Sequence, residues 1–245
     1  MTDGMAHYLL RTQRADGSWI SYEFRPPIED GPLVATAWAT LGLRDYAPPG
    51  RERQAAAGLA RARDWLARQQ PRRHNEAVFQ LLGLGWAGEP PAQLQPYVAR
   101  LLQTQRADGG WSQLPALESD AWATGSALYA LHEAARLPAS HAAYRRGVDF
   151  LLRTQFEDGS WRVRSRVWPF QPHFDGRFPH GKDQWISAAG TAWAAAAILF
   201  TLEPIGKPEA APAAEALIAA FQKSSAAQRP AAFPGAALAA GSAGG

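Results

Sequence analysis

Residues 151–161 read LLRTQFEDGSW, and two near-copies of this stretch occur earlier in the chain. Residues 101–111 read LLQTQRADGGW, and residues 9–19 read LLRTQRADGSW. In each copy a Leu-Leu pair ends an apolar helix face, and the Asp-Gly step supplies a residue that can adopt a positive φ. The sequence therefore predicts that the same helix-ending corner is built three times.

A degenerate fourth copy lies between the first two. Residues 65–71 read WLARQQP and place Gln69 at the glutamine position, although the Asp-Gly-x-Trp part is missing. Repeated units of this kind cannot bury their apolar faces alone, so they stack on their neighbours. The spacing between the copies leaves room for two helices in each unit, which predicts an all-α array of helix pairs.

The recurring pattern Gln-x-x-Asp-Gly-x-Trp, at residues 13–19, 105–111 and 155–161, closely resembles the QW repeat of the squalene-hopene cyclase, oxidosqualene cyclase and prenyltransferase superfamily. The resemblance extends over residues 5–202 and implies an α/α toroid, here an incomplete or small α-α barrel with a concave apolar interior. Residues 80–84 and 183–187 also resemble segments of bacterial cyclase-like proteins of unassigned function. We expect one such domain over residues 1–223.

Bulk composition excludes several classes of protein. The formal charge of +3 is too small to favour nucleic acid as a partner, and the absence of cysteine excludes disulfides, thiolate catalysis and cysteine-ligated zinc. No signal peptide or transmembrane segment is visible, so we expect a cytoplasmic or peripheral membrane protein. Residues 208–222 predict a weak Ala-rich helix, and the Ala, Gly, Pro and Ser of residues 224–245 predict a disordered tail.

An acidic motif is the candidate for catalysis. In the class II cyclases that the chain resembles, an aspartic acid of a DxDD or VxDCT motif protonates a C=C bond or an epoxide. The matching residues here are Glu118-Ser119-Asp120-Ala121, which implies Asp120 as proton donor with Glu118 assisting, while Ala121 replaces the Asp or Cys that would activate the donor. The alternative is that Asp120 caps the N-terminus of the next helix, as Asp183 does one unit later.

Aromatic side chains are the candidates for substrate contact, because their faces stabilise carbocations. We expect Trp122, Trp185 and Trp193 on inward-facing helices, together with Asp183, and Trp168 and Phe170 in a long loop at residues 162–182. Trp38 and Trp86, which lie outside the repeated corners, are further cavity candidates. The arginines of this loop match a diphosphate; the alternatives are that the loop covers a cavity mouth or is a solvated loop pinned by its aromatics. For each tryptophan the alternative is ordinary core packing.

No cofactor or metal is expected. His173, Asp175 and His180 form the strongest metal-binding alternative, but they lack a regular helical spacing. The cysteine zinc ligand of protein prenyltransferases, a Gly-rich phosphate loop, a nucleophile elbow and a class I aspartate cluster are all missing from the sequence.

Two functional hypotheses follow. The first is a class II cyclase that acts on a polyprenyl substrate. The second is a non-catalytic, cyclase-derived module that binds an isoprenoid lipid or a protein partner. The replaced acid at Ala121, the short N-terminal wall and the single-domain length favour the second, since a cyclase needs a sealed cavity that excludes water. A partner chain or a further domain would complete that wall.

Overall fold

A computed structural model of the protein describes residues 2–22, 24–47, 49–168 and 173–202. This part of the chain is mostly helical, as the sequence predicts. Its eight α-helices are α1 Thr2–Thr12, α2 Pro32–Tyr46, α3 Glu52–Arg68, α4 His74–Trp86, α5 Gln95–Gln103, α6 Ala121–Glu133, α7 Ala142–Thr154 and α8 Gln184–Leu199. The predicted helix at 208–222 and the predicted tail at 224–245 lie outside the described residues.

Two local details differ from what the sequence predicts. The break at Pro90-Pro91 predicts a helix over about residues 92–105, but this helix begins at Gln95, because Pro91–Leu94 forms a separate 3₁₀ turn before it. The prolines and glycine of residues 21–32 predict a loop, but within it the short strands β1 (Phe24–Arg25) and β2 (Glu29–Asp30) pair in antiparallel register. This hairpin brings the chain back to the N-terminus of α2.

The helices alternate between an inner and an outer position. The inner helices α2, α4, α6 and α8 each contact the next one in this order, and α1, α3, α5 and α7 pack against them. The outer helix α3 is amphipathic and buries Ala55, Gly58, Ala62 and Leu66 at a spacing of three to four residues. The inner helix α6 is buried over most of its surface, from Ala121 to Leu128 without interruption. Each outer–inner pair is therefore one unit of the array.

The three copies of the repeated segment make the same hydrogen bonds at the end of an outer helix. In each copy the tryptophan indole N–H donates to the carbonyl of the leucine ten residues earlier, which lies in the last turn of the outer helix, where carbonyls lack their regular intrahelical donors. The pairs are Trp19 with Leu9 at 2.9 Å, Trp111 with Leu101 at 2.8 Å and Trp161 with Leu151 at 2.8 Å.

The same tryptophans join each outer helix to an inner one. The tryptophan backbone N–H donates to a buried or half-buried threonine hydroxyl, in the pairs Trp19–Thr36 at 3.0 Å, Trp111–Thr124 at 2.9 Å and Trp161–Thr191 at 3.0 Å. Gly17, Gly109 and Gly159 have φ values of 98°, 90° and 82°, so the positive φ predicted for the Asp-Gly step is confirmed.

The degenerate fourth corner uses another residue for the same purpose. Gln80, on α4, donates its side-chain amide to the Leu66 carbonyl at 2.7 Å and to the Gln69 carbonyl at 3.0 Å. Gln69 is the residue that follows α3, with φ −73° and ψ 149°, and Gln155 follows α7 in the same way, with φ −71° and ψ 137°. This agreement supports the assignment of Gln69 to the repeat's glutamine position.

Aromatic rings fill the space between the inner helices. The Trp193 ring on α8 lies 5.0 Å from that of Tyr129, 6.0 Å from that of Trp122 and 6.3 Å from that of Phe79, measured between ring centroids. Its centroid is also 6.4 Å from that of Trp38 on α2. Much of the aromatic content of the sequence is therefore packed in the core.

Candidate functional site

The candidate functional site is an open apolar groove between α1 and α2, with a volume of about 860 Å³. Fourteen residues line it, and they are mostly apolar or aromatic: Met5, Ala6, Tyr8, Leu9, Thr12, Arg14, Trp19, Ile20, Tyr22, Ala35, Trp38, Ala39, Gly42 and Tyr46. These fourteen residues form what we call the α1–α2 groove. Arg14 is the only charged residue among these lining residues.

The groove is lined by side chains that would be core residues elsewhere in the array. Met5 is 67% exposed and Tyr8 is 63% exposed on α1, and Trp38 is 41% exposed on α2. Gly42 lets the two helices approach closely, because a Cβ atom at this position would lie 3.0 Å from Leu9 Cδ1. A row of exposed aromatic and aliphatic side chains in one concavity is a typical mark of a binding surface.

Asp120 is the N-cap of α6, as the alternative interpretation predicts. Its Oδ1 accepts a hydrogen bond from the backbone N–H of Ala123 at 2.9 Å, and its Oδ2 accepts one from the Gln113 side chain at 3.0 Å. Burial raises the pKa of Asp120 to about 6, although both hydrogen bonds favour the ionised form. The Arg166 guanidinium donates to Gln113 Oε1 at 2.7 Å, so the loop after α7 is connected through Gln113 to the Asp120 cap of α6.

The other members of the acidic motif do not assemble around Asp120. Glu118 is exposed, and it is not among the hydrogen-bond partners of the Asp120 carboxylate. Ala121 is buried and carries no polar group. Neither Asp120 nor Glu118 lines the α1–α2 groove.

Asp183 precedes α8 but does not cap it with its side chain, so the predicted equivalence with Asp120 was wrong. Its Oδ1 accepts from the Ser165 backbone N–H at 2.9 Å, and its Oδ2 accepts from the Arg162 guanidinium at 3.0 Å. The matched tryptophan–threonine contacts show which residues are equivalent in the two units. Asp120 lies four residues before Thr124, the partner of Trp111, and Ser187 lies four residues before Thr191, the partner of Trp161. Ser187, and not Asp183, is therefore at the position of Asp120.

The predicted aromatic contacts are spread over the molecule. Trp122 is buried, with an indole N–H that has no hydrogen-bond partner among the described residues. Trp185 and Trp193 are half-buried, and Trp168 is 83% exposed. Phe170 lies outside the described residues. None of the described four lines the α1–α2 groove, whereas Trp38 and the corner residue Trp19 do.

A charged cluster that the sequence analysis missed lies at the N-terminal ends of the inner helices. The Asp30 side chain is fully buried and accepts from Arg73 at 2.5 Å, and Arg73 also binds Glu76 at 2.7 Å. Burial raises the pKa of Asp30, while the charge of Arg73 opposes that shift. The only signal in the sequence is an acidic pair, Glu29-Asp30, directly before a helix.

His74 lies beside this cluster and is neutral at pH 7. Its Nε2 is 2.9 Å from the Ala123 carbonyl oxygen, which links the beginning of α4 to the beginning of α6. Burial lowers the pKa of His74 to about 4. The Ala123 carbonyl can only accept, so Nε2 carries the proton of the neutral ring, and it is the burial between these helix ends that disfavours the charged imidazole.

The weak metal-binding alternative does not form. His180 Nε2 is 2.8 Å from the Ser160 hydroxyl, and His173 Nε2 is 3.3 Å from the Gln184 side-chain amide. Over residues 2–168 and 173–202, apart from the undescribed positions 23 and 48, no three His, Asp or Glu side chains group in a way that could hold a metal ion. No helix in the described part of the chain combines the length and apolar character needed to cross a bilayer.

Neither a protein-family model nor a curated protein sequence matches this chain.

Proposed function

We propose that this chain is a squalene cyclase-like α/α toroid module that binds an elongated apolar molecule of the isoprenoid class in the α1–α2 groove and does not convert it. The groove is the single observation that carries this proposal. Its volume of about 860 Å³ lies within the range of about 300–1,000 Å³ typical of small-molecule sites. Aromatic faces and aliphatic side chains provide the surface that a branched hydrocarbon chain needs.

Two further observations support the proposed kinship. The Gln-x-x-Asp-Gly-x-Trp segments form the same corner three times, with matched indole and threonine hydrogen bonds. Inner and outer helices also alternate along the chain, which is the order expected for a toroid built from helix pairs.

The state of Asp120 argues against a protonation reaction. An acid that protonates a C=C bond must be neutral and strongly acidic. With a pKa of about 6, the Asp120 carboxyl is mainly ionised at pH 7, and it is held by the Ala123 N–H and the Gln113 side chain. In the binding proposal Asp120 therefore acts as a helix cap.

Equilibrium dialysis with radiolabelled squalene tests the binding function. We expect saturable binding by the full chain and at least a tenfold loss in Ala35→Trp, because Ala35 lines the groove and a large ring there occupies the space of the ligand. The matched control is Ala56→Trp, which changes an exposed alanine on α3 outside the groove. Equal binding by both variants would contradict the assignment of the groove.

A second candidate function is class II cyclisation of a polyprenyl substrate with Asp120 as proton donor. The burial of the Asp120 carboxyl is the observation in its favour, because a buried acid with a perturbed pKa is a frequent feature of catalytic sites, while its ionised state at pH 7 and its capping hydrogen bonds oppose it. Incubation with squalene, followed by gas chromatography of the extract, tests this function. Cyclic products that disappear in Asp120→Asn would establish catalysis and replace the binding proposal.

A further inference from the structure

Each of the first two corners holds an outer helix that comes later in the chain. Gln13 Nε2 donates to the Gly58 carbonyl on α3 at 2.8 Å, and the Arg61 guanidinium donates back to Gln13 Oε1. A Cβ atom on Gly17 would lie 2.7 Å from the carbonyl carbon of Arg61, so the corner backbone lies directly on this helix. The corner glutamine and glycine together form what we call the helix clamp.

The second corner repeats the helix clamp on α7. Gln105 Nε2 donates to the Ala143 carbonyl at 2.8 Å, and Arg146 donates back to Gln105 Oε1. A Cβ atom on Gly109 would lie 3.0 Å from the carbonyl carbon of Arg146. In both cases the clamped helix therefore offers a small residue with an arginine three positions later.

The third corner has the same parts but holds no helix of the described chain. Gln155 Nε2 donates to the Gly159 carbonyl at 2.9 Å, as in the other corners, and makes no second hydrogen bond to any described residue. Gly159 is exposed, and among the described residues the nearest atom to a Cβ built there is Gln155 Nε2 at 3.9 Å. The neighbouring side chains Leu152 and Phe156 are 53% and 50% exposed. The third clamp therefore has its own parts in place but holds no helix within the described part of the chain.

The charge around the third corner differs from that around the other two. Where they carry Arg-Ala before the aspartate, at residues 14–15 and 106–107, the third carries Phe156 and Glu157. Glu157 and Asp158 are both exposed. This acidic surface is complementary to a helix that carries arginine, and the exposed Phe156 ring supplies an apolar contact beside it.

We propose that the third corner, residues 155–161, binds in trans a cationic amphipathic α-helix of a partner protein, in which a small residue precedes an arginine by three positions. The Gln155 amide binds the carbonyl of the small residue, and the arginine binds Gln155 Oε1. Gly159 lies against the partner backbone. This interaction is independent of the α1–α2 groove and of any ligand bound there.

A peptide copied from the chain itself supplies the probe. Residues 51–69 contain Gly58 and Arg61, the pair that the first corner holds, so a fluorescein-labelled peptide of this sequence should bind the full chain in an anisotropy titration. Gly159→Ala should weaken binding at least tenfold, because the new methyl group meets the peptide backbone. Gln155→Ala should weaken it to a similar extent. The control is Gly88→Ala, which alters an open glycine of similar φ, 85°.

Three results would overturn the proposal. The first is the absence of saturable binding by the unmodified chain, and the second is equal binding by Gly159→Ala and Gly88→Ala. The third is a peptide that binds equally well when its Arg61 is replaced by Glu. Sedimentation that shows a concentration-dependent dimer, lost in Gln155→Ala, would assign the corner to a second copy of this chain in place of a partner helix.

Discussion

Alanine substitutions at the corner glycines can separate two contributions to stability. One is the backbone strain of a non-glycine residue at positive φ, and the other is the steric contact between the corner and the helix that it holds. Gly109 and Gly159 occupy the same position of the repeat and have φ values of 90° and 82°. Alanine at either site therefore incurs a similar backbone strain, about 1–2 kcal/mol. The two sites differ in what the added methyl group meets.

At position 109 the methyl group overlaps the backbone of Arg146, with the carbonyl carbon at 3.0 Å, and backbone atoms of a packed helix move only at a cost. Overpacking of this kind costs about 1–3 kcal/mol more. At position 159 the methyl group meets no atom of the described residues closer than 3.9 Å. We expect Gly109→Ala to reduce the free energy of unfolding by about 2 kcal/mol more than Gly159→Ala does.

Urea unfolding followed by far-UV circular dichroism measures this difference. With an m-value of about 2 kcal/mol/M, the midpoint for Gly109→Ala should lie about 1 M below that for Gly159→Ala. Gly17→Ala should behave like Gly109→Ala, because its methyl group meets the backbone of Arg61. Equal losses at all three positions would refute the reasoning, since the glycines would then serve only the turn.

Three further predictions concern buried polar groups. Gln80→Leu should lower the free energy of unfolding by about 1–3 kcal/mol, because it removes the buried side-chain hydrogen bonds to the Leu66 and Gln69 carbonyls. Gln103→Leu, an exposed change on α5, is the control in the same urea assay. The pKa of Asp120 is raised in the folded chain, so the folded chain binds a proton more tightly than the unfolded chain, and this group's contribution to stability falls as the pH rises from about 4 to 6 and is constant above. The free energy of unfolding of the unmodified chain, minus that of Asp120→Asn, should therefore fall over this range. A difference that does not change with pH would contradict the prediction. The lowered pKa of His74 has the opposite sign, so its contribution rises with pH between about 4 and 6.5, and urea midpoints of His74→Gln should lack this rise.

The corners were predictable because their chemistry is local. The Asp-Gly step and the following tryptophan lie within one turn, so the positive φ and the helix end can be inferred from a few adjacent residues. The threonine partners were not predictable, because they follow the tryptophans by 17, 13 and 30 residues across connections of different length. The equivalence of Asp120 and Asp183 failed for this reason.

The Asp30–Arg73 cluster and the α1–α2 groove could not be predicted from local sequence, because each brings together residues that are far apart in the chain. Asp30 is buried only because the β1–β2 hairpin carries it to Arg73, 43 residues later. The short N-terminal wall predicted from the sequence, and Trp38 as a cavity candidate, pointed to this end of the array, whereas nothing in the local sequence marks Tyr8 as exposed. Which side chains line the groove depends on how α1 packs on α2, and only the structure provides that packing.

The groove and the third corner lie on different helix pairs, and this separation makes the two proposals independent. The groove belongs to α1 and α2, whereas the third corner follows α7 and contacts α8 through Thr191. Ala35→Trp should therefore abolish squalene binding and leave peptide binding unchanged, while Gly159→Ala should do the reverse. The double variant should show the two losses added, because sites without shared contacts are energetically independent. A loss of both activities in either single variant would instead mean that the two sites are coupled through the core, in which Trp38 and Trp193 are in ring contact.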